Sequence, residues 1–274
     1  MRVSLVCCVF NGDRFIREAV LSLLRQSFRD FELLIVDDGS TDTTSQILRE
    51  LAAQDDRIRV LTNSTNLGLT KSLNRALTQA TGNYVARMDA DDIALPERLA
   101  NQIAFLDTHP DIDMVGTAFE WIDAEGRIIG RPQVITDSQT LHKTLIRTNP
   151  FLHGSIMIRK KTLDRAGGYD ETFKKAQDYD LWLRLSSTAH FANLPDILMQ
   201  KRMTTHMISF KNEQEQIRFA LRARWRALKR GDYPLWCAIH LIKPFLAIIL
   251  PICIVRWARV HVFGQIVYKH PSMQ

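Results

Sequence analysis

Four apolar runs of strand length in the first hundred residues constrain the fold most strongly. They are Val3–Phe10, Phe31–Val36, Ile58–Leu61 and Tyr84–Met88, and the stretches between them carry apolar residues at helical spacing. Strands that alternate with helices pair in parallel through right-handed crossovers. The pattern therefore predicts an α/β fold, in which a Rossmann-like, mostly parallel sheet has helices on both faces.

The pattern changes after these four strands. Met114–Val134 alternates as strand, turn and strand, Gly154–Arg159 predicts a further strand, and Asp178–Ser187 predicts a short helix. The composition then shifts to a basic helical stretch followed by an apolar one. We therefore predict a main domain over residues 1–212 and a helical, partly apolar tail over residues 213–274.

Charge is distributed unevenly along the chain. The net charge is +6, but the residues from Gln216 onward carry ten Lys and Arg against one acidic residue, Asp232. This tail therefore carries +9 and the preceding residues carry −3. Such an asymmetry indicates an anionic partner for the tail, which is either a membrane surface or nucleic acid.

The apolar part of the tail, residues 235–255, is too interrupted for a clean membrane span. A lysine and two prolines break it, and its uninterrupted run, Phe245–Val255, falls short of the ~20 residues that a spanning helix needs. Basic residues lie on both sides of this run, and such residues favour a cytoplasmic location for both flanking segments. We expect residues 216–259 to form an in-plane or re-entrant helix pair on the inner leaflet. The alternative is an amphipathic helix that packs on the main domain, with an oligomer contact at the apolar stretch.

The start of the chain and its cysteines bear on the compartment. No charged, apolar and small-residue regions of a signal peptide precede the first strand. The four cysteines include no CxxC pair and lie in apolar surroundings, which argues against a disulfide framework or a zinc site and fits a reducing compartment. Together with the tail, these features predict a peripheral or monotopic protein on the cytoplasmic face of the inner membrane.

Two acidic clusters follow predicted strands: Asp37-Asp38 after the second and Asp89-Ala90-Asp91-Asp92 after the fourth. Open parallel sheets bind ligands outside the carboxyl ends of their strands. Carboxylates gathered there repel one another unless a cation lies between them, and oxygen ligands suit Mg²⁺ or Mn²⁺, which would carry a diphosphate. Taken separately, the first cluster also fits helix capping and the second an acidic surface turn. Their position at one edge of the sheet favours a site.

Other nucleotide-binding classes lack their signatures here. Cys8–Phe15, which follows the first strand, contains no Gly-x-Gly-x-x-Gly, and this argues against a dinucleotide-dependent oxidoreductase. The phosphate-binding loop Gly-x-x-x-x-Gly-Lys-Ser/Thr is also absent from the sequence. Haloacid-type phosphatases use Asp-x-Asp as well, but they carry it after the first strand.

Several motifs, in chain order, carry a resemblance to a known family. They are Val3–Gly12 (VSLVCCVFNG), Phe31–Asp42 (FELLIVDDGSTD), Asn66–Gly68 (NLG), Ala86–Asp92 (ARMDADD) with Pro96 and Arg98-Leu99, Gly167–Phe173 (GGYDETF) and Gln177–Leu185 (QDYDLWLRL). On these residues the chain resembles inverting family 2 glycosyltransferases of the GT-A fold, of the type that builds bacterial surface polysaccharides. The resemblance covers about residues 1–210.

The resemblance implies a pocket for a nucleotide-sugar donor and a divalent cation, Mn²⁺ or Mg²⁺. The family's Asp-x-Asp motif corresponds to Asp89 and Asp91, with Asp91 as the direct metal ligand. Asp38 corresponds to the carboxylate that accepts a hydrogen bond from the base or ribose of the nucleoside. Arg87 pairs with a carboxylate or with the donor diphosphate, and the carboxylate is favoured. The predicted donor-binding residues are Val9, Asn11, Asp37, Asp38, Asn66, Leu67, Gly68, Arg87 and Asp89.

The family's catalytic base maps onto Asp178, and Gln177 stands where the family usually has Glu. A single base without a second nucleophilic carboxylate implies one in-line displacement with inversion. Asp178 also fits the N-cap of the following helix, and Asp180 competes for either role. On the acceptor side the expected residues are His153, Gly154 and Trp182.

A histidine that follows the catalytic helix binds the metal in some members of the fold. The nearest candidate in this sequence is His206. Its spacing departs from the family pattern, because Thr204 stands nearer the usual position.

The predicted function is transfer of a sugar from a nucleotide-diphosphate sugar to an acceptor hydroxyl, and the position of the tail points to a lipid-linked saccharide acceptor. A nucleotidyltransferase is the enzymatic alternative, because it also binds a nucleotide and a metal on such a sheet. The non-enzymatic alternative is a nucleic-acid-binding protein that uses the basic tail. The acidic edge of the main domain argues against it, and we expect no nucleic-acid partner.

Overall fold

The computed structural model describes residues 1–203 and 213–249. His206 and the last part of the predicted tail, residues 250–274, lie outside the described residues. The strands are β1 (Val3–Val9), β2 (Phe31–Asp37), β3 (Ile58–Thr62), β4 (Tyr84–Asp89), β5 (Ile93–Ala94), β6 (Met114–Ile122), β7 (Ile128–Gly130), β8 (Met157–Arg159) and β9 (Phe191–Arg202). The α-helices are α1 (Ile16–Leu24), α2 (Thr44–Ala52), α3 (Leu69–Gln79), α4 (Arg98–Thr108), α5 (Ser138–Leu145), α6 (Lys160–Arg165), α7 (Gln177–Leu185), α8 (Glu213–Arg230) and α9 (Ile239–Ile249).

The strands form one sheet in the order β3-β2-β1-β4-β8-β6-β9-β5, with β7 paired to β6. Strands β1 to β4 are parallel, and so are β6 and β9; these parallel ladders pair five to nine residues each. The antiparallel ladders, which involve β5, β7 and β8, pair two or three residues each. The predicted α/β fold with a mostly parallel sheet is therefore confirmed.

The central strands are covered on both sides. Leu5 and Leu33 pack in one apolar layer with buried residues of α1, α2 and α4. Val6 and Leu34, which point the other way, pack with buried residues of α3, α5 and α7. Strands that are apolar along their whole length are typical of parallel sheets buried on both faces. The prediction of helices on both faces is confirmed.

Several strands differ from the sequence pattern, and the two-residue strand β5 was not predicted. The longest strand, β9, was not predicted; it runs parallel to β6, and register shifts near Ala118 break the regular pairing. The predicted strand at Gly154–Arg159 is shorter, because His153–Ser155 form a 3₁₀ turn and pairing begins at Met157. This turn lies beyond the ladder between β4 and β8, next to the end of β4.

Helix α8 belongs to the core of the main domain. Its residues Ala223, Ala227 and Leu228 are buried in the same apolar cluster as residues of α5 and α7, and Tyr233 and Cys237 extend that cluster. The boundary predicted between residues 212 and 213 thus follows the change in composition, while the core continues across it. Among the described helices, none combines the length and the apolar character needed to cross a bilayer.

We predict that Ala227→Asp lowers the stability of the whole main domain. Ala227 is fully buried, so the variant would place a carboxylate in an apolar layer, at a cost of several kcal/mol. Thermal unfolding followed by circular dichroism should give one transition at a lower temperature. The exposed Gln216→Asp serves as the matched control, with an expected change within about 0.5 kcal/mol. An unchanged melting temperature for Ala227→Asp would contradict a shared core.

Candidate functional site

The parallel register aligns the ends of β1, β2 and β4. Val9 pairs with Asp37 and Cys8 pairs with Asp89, so the two acidic clusters emerge at the same edge of the sheet. Strand β1 separates them, which puts their backbones about 10 Å apart, or two strand spacings. Burial raises the pKa of the Cys8 thiol, and the charges of Asp38 and Asp89 raise it further. Both carboxylates therefore lie within electrostatic reach of the same residue.

Asp37 and Asn11 tie the loop after β1 to the loop after β2. The buried Asp37 carboxylate accepts a hydrogen bond from the Ser40 N–H at 3.0 Å. Asn11 Oδ1 accepts from the Thr41 N–H at 2.8 Å, and the Asn11 N–H donates to the Ser40 hydroxyl at 3.0 Å. Asn11 has a φ of 51°, a left-handed conformation that Asn tolerates better than most residues. The two loops are thus held as one surface.

Asp38 fixes the loop that precedes α3. The residue is 4% exposed, and its carboxylate accepts hydrogen bonds from the N–H groups of Leu67 and Gly68 at 2.9 Å each and from the Asn63 amide at 2.6 Å. Its own N–H donates to the Val9 carbonyl at 2.8 Å. Gly68 has a φ of 89°, which favours glycine. The contact between Asp38 and a nucleoside stays a prediction, since the carboxylate is already used to order this loop.

The second acidic cluster is balanced by two cations of the protein. The buried Arg87 guanidinium donates to Asp89, and Lys201 Nζ lies 4.0 Å from Asp89 Oδ2. Burial opposes ionisation of Asp89, but the charges of Arg87 and Lys201 hold its pKa well below the ordinary value. The same attraction raises the pKa of Arg87 against the effect of burial. Arg87 thus pairs with a carboxylate, the option favoured from the sequence.

Asp91 and Asp92 lie in a less favourable environment for charge. Burial, followed by the charge of Asp89, raises the pKa of Asp91. Burial also raises the pKa of Asp92 to about 7. Asp92 Oδ1 accepts from the Arg202 N–H at 2.9 Å, and the Arg202 guanidinium donates to the Asp91 carbonyl at 2.9 Å. Through these two hydrogen bonds, Arg202 of β9 holds in place the turn that carries both carboxylates.

The carboxylates of this cluster fit a cation that arrives with a diphosphate. Within residues 1–203 and 213–249, no three His, Cys, Asp or Glu side chains are arranged to hold a metal ion by themselves. However, Asp92 Oδ2 is buried without a hydrogen-bond partner. A Cβ atom on Gly154 would lie 3.1 Å from this oxygen and 3.5 Å from Asp89 Oδ2, so glycine keeps the space beside both open. Mg²⁺ commonly takes one or two protein carboxylates and completes its shell with water and substrate phosphates.

Asp178 lies in the first turn of α7. Its Oδ2 accepts from the Asn149 amide at 2.8 Å. Burial raises its pKa, while the Tyr179 N–H, the charge of Arg87 and the Asn149 amide oppose that increase. Asp178 is therefore a stronger proton acceptor than an ordinary aspartate and lies within electrostatic reach of the Arg87–Asp89 pair.

Asp180 has a different environment. It is 1% exposed, and its Oδ2 accepts from Arg184 Nε at 2.8 Å within the same helix. The backbone before the helix is unusual, because Ala176 has a φ of 52°, which is uncommon for a residue other than glycine. Such strain is often found at functional sites. Of the two aspartates, Asp178 is the one that lacks a cationic hydrogen-bond partner on its own helix.

The predicted acceptor-side residues His153, Gly154 and Trp182 lie together, and we call this group the acceptor wall. His153 Nε2 lies 2.8 Å from the Tyr169 hydroxyl, and burial holds the pKa of His153 well below its usual value, so the ring is neutral. Gly154 lies against the carboxylates of the second cluster. Trp182 is fully buried and packs edge-on against His153 and Phe151. Trp182 therefore packs beneath His153, shielded from solvent, and cannot itself contact an acceptor in this conformation.

The structure brings most of the predicted residues to one edge of the sheet. Arg87 links the groups electrostatically, because its charge acts on Asp89, Asp91 and Asp178. The predicted residues at the ends of β1 and β2 and in the loops after β1, β2 and β3 are Val9, Asn11, Asp37, Asp38, Asn66, Leu67 and Gly68. Those within or beside the end of β4 are Arg87, Asp89, Asp91, His153, Gly154 and Asp178.

Three residues at the site were not found from the sequence. Lys201 and Arg202 come from β9, whose apolar pattern is broken by the register shifts. Asn149 lies in an irregular segment before the 3₁₀ turn. A lysine and an arginine side by side at the end of a mostly apolar run offered the one available signal for β9.

We predict that Asp38→Asn destabilises the protein. The asparagine NH₂ would face N–H donors that now share the two carboxylate oxygens, so hydrogen bonds to Leu67 or Gly68 would be lost. Urea denaturation should show a decrease of about 2–4 kcal/mol in the free energy of unfolding. Asp56→Asn, at an exposed turn before β3, is the matched control and should change the value by less than about 0.5 kcal/mol. Equal stability of the two variants would contradict the role of Asp38 in ordering the loop.

A search against protein families and known proteins gives consistent matches. The model of the family described as Glycosyl transferase family 2 matches residues 4–168, which is more than half of the chain. The putative glycosyltransferase EpsE of Bacillus subtilis (strain 168) is 33% identical over 269 residues, covering 96% of this chain and 95% of EpsE. The amylovoran biosynthesis glycosyltransferase AmsE of Erwinia amylovora is 32% identical over 238 residues, covering 83% of this chain and 89% of AmsE.

Solved structures support the fold. The mannosyltransferase PcManGT from Pyrobaculum calidifontis, in complex with GDP-Man and Mn²⁺, superposes with a TM-score of 0.70 at 18% identity, covering 95% of this chain and 75% of that one. The predicted resemblance and the predicted enzyme class are both confirmed by these matches. The chain belongs to glycosyl transferase family 2 and is a glycosyltransferase.

Proposed function

We propose that this glycosyltransferase binds a nucleotide-diphosphate sugar at the carboxyl edge of β1, β2 and β4 and transfers the sugar, with inversion, to a saccharide hydroxyl. One observation carries the proposal. Asp178, a carboxylate with a raised pKa, lies within electrostatic reach of Arg87, which pairs with Asp89 of the Asp-x-Asp motif. The proposed proton acceptor and the Asp-x-Asp motif thus lie close to one another at the same edge of the sheet.

Each side of the pocket has a separate role in the proposed reaction. The loops fixed by Asn11 and Asp38 hold the nucleoside. Asp178 takes the proton of the acceptor hydroxyl while the hydroxyl oxygen attacks the anomeric carbon of the sugar. The bond from that carbon to the diphosphate oxygen breaks at the same time. Asn149 donates to one carboxylate oxygen of Asp178 and so helps to fix the orientation of the carboxylate. One displacement inverts the configuration at the anomeric carbon.

We expect a divalent cation, Mn²⁺ or Mg²⁺, in this reaction. Asp91 and Asp89 would hold it, and the unpartnered oxygen of Asp92 lies beside them. Support comes from the donor set and from PcManGT, which was solved with Mn²⁺. When bound, the cation offsets the charge that develops on the leaving diphosphate. His206 remains a prediction outside the described residues.

The acceptor proposal rests on the surface of the tail. Residues 235–249 expose large apolar side chains, including Trp236 at 72%, Ile242 at 54% and Ile249 at 62%. Exposed apolar patches of this kind mark partner or membrane surfaces. With the basic charge of residues 216–259, they support attachment to the cytoplasmic face of the inner membrane, where a lipid-linked saccharide would be the acceptor. The similarity of this chain to AmsE, an amylovoran biosynthesis glycosyltransferase, favours a role in the synthesis of a surface polysaccharide.

We predict that Asp178→Asn abolishes transfer but keeps donor binding. Asparagine cannot accept the proton, so the rate should fall by at least about 10²-fold, while thermal shift with the donor should be nearly unchanged. Because the pKa of Asp178 is raised, the wild-type rate should decline with decreasing pH earlier than it would for an ordinary aspartate. The assay measures release of nucleoside diphosphate from a panel of sugar nucleotides with Mn²⁺ and saccharide acceptors.

The exposed Asp196→Asn is the matched control for this experiment and should keep wild-type turnover. Near-normal turnover by Asp178→Asn would refute its role as the base. Release of pyrophosphate instead of nucleoside diphosphate would identify a nucleotidyltransferase.

We predict that replacing Trp236, Ile242 and Ile249 together by Ser weakens membrane binding. Removing three exposed apolar side chains should lower partition onto anionic vesicles by at least about tenfold. Co-sedimentation with phosphatidylglycerol-containing vesicles measures the fraction of protein that is bound to the membrane. Ile128→Ser, at the 50% exposed Ile128 of β7, is the control. Unchanged sedimentation of the triple variant would rule out this face as an anchor.

A further inference from the structure

Lys201 is a partly buried cation that the proposed mechanism does not yet use. It lies near the end of β9, its side chain is 22% exposed, and its Nζ is 4.0 Å from Asp89 Oδ2. That distance is too long for a hydrogen bond. Among the described parts of the chain, no acceptor lies within hydrogen-bonding distance of its ammonium group. The three N–H donors of this ammonium group are therefore free to bind a ligand at the site.

The charges around Lys201 point to an anionic ligand. Asp89, Asp91 and Asp92 face two cations, Arg87 and Lys201. The Arg87 guanidinium already donates to Asp89, and Arg87 Nε is buried without a partner. A diphosphate that enters beside three carboxylates is repelled by them. Of the two cations, Lys201 is the one whose side chain makes no hydrogen bond to the described part of the protein, so its ammonium group can reduce that repulsion by direct contact.

We propose that Lys201 is a donor-binding residue whose ammonium group donates hydrogen bonds to the diphosphate of the nucleotide sugar. This inference rests on the proposed function and deepens it. Lys201 comes from β9, on the far side of the site from Asp38, so the diphosphate is held between the end of β4 and the end of β9. Lys201 and the divalent cation then share the neutralisation of the diphosphate, and part of the affinity for nucleoside diphosphate persists when no metal is present.

Isothermal titration of the full chain tests this assignment. UDP and GDP are titrated into wild type, Lys201→Met, Lys201→Gln and Lys201→Arg, once with Mn²⁺ and once with EDTA, and uridine and guanosine are titrated as ligands without phosphate. The matched control is Lys161→Met, at an exposed lysine of α6 on the opposite edge of the sheet. Thermal unfolding identifies any variant that does not fold, and Lys201→Gln keeps a polar side chain of similar length should Lys201→Met fail.

The expected result is a loss of about ten- to 100-fold in nucleoside diphosphate affinity for Lys201→Met and Lys201→Gln, both in Mn²⁺ and in EDTA. Nucleoside affinity should stay the same, Lys201→Arg should retain more affinity than Lys201→Met, and Lys161→Met should match wild type.

Three results would overturn the inference. They are unchanged nucleoside diphosphate affinity in the folded variants, a loss confined to the Mn²⁺ titrations, and an equal loss for the bare nucleosides. The proposed donor site itself would fail in a different way, because the wild-type protein would then bind none of the nucleoside diphosphates under either condition.

Discussion

The site depends on a charge balance at the carboxyl edge of a parallel sheet. Strand register brings Asp37, Asp38 and Asp89 to one edge, and such a concentration of carboxylates is unfavourable unless each is compensated. The protein uses two means. The pair after β2 is satisfied by hydrogen bonds from neighbouring loops, whereas the cluster after β4 is compensated by Arg87 and Lys201. The first arrangement orders the loops after β2 and β3 by hydrogen bonds, and the second holds the carboxylates after β4 by charge.

This division changes the physical argument for a metal. The sequence suggests that all the carboxylates on the edge need a cation, but Asp37 and Asp38 are satisfied without one. The need is confined to Asp89, Asp91 and Asp92, where two protein cations already offset much of the charge. The pKa values of Asp91 and Asp92 are raised by burial first, and the charge of Asp89 raises them further. In the proposed reaction, a divalent cation would therefore serve mainly to offset the negative charge that the diphosphate adds.

The sheet edge could be predicted because it depends on local pattern. Apolar runs define β1, β2 and β4, and parallel pairing then fixes where Asp37 and Asp89 must lie. Lys201 and Asn149 could not be found in this way. Each reaches its partner across more than twenty residues of sequence, one from a strand with a broken register and the other from an irregular loop. Such contacts follow from tertiary packing, on which periodicity carries no information.

The tail connects the proposed membrane surface to the proposed base. Arg224 of α8 donates to the Tyr179 hydroxyl at 2.9 Å, next to Asp178, and to the Arg147 carbonyl at 2.8 Å, near Asn149. Helix α8 is therefore hydrogen-bonded both to α7, which carries Asp178, and to the segment that carries Asn149. Since α8 also shares the apolar core, it cannot move as a separate anchor. If the exposed face of α9 meets the bilayer as proposed, the acceptor wall is held in a defined orientation to the surface that delivers a lipid-linked saccharide.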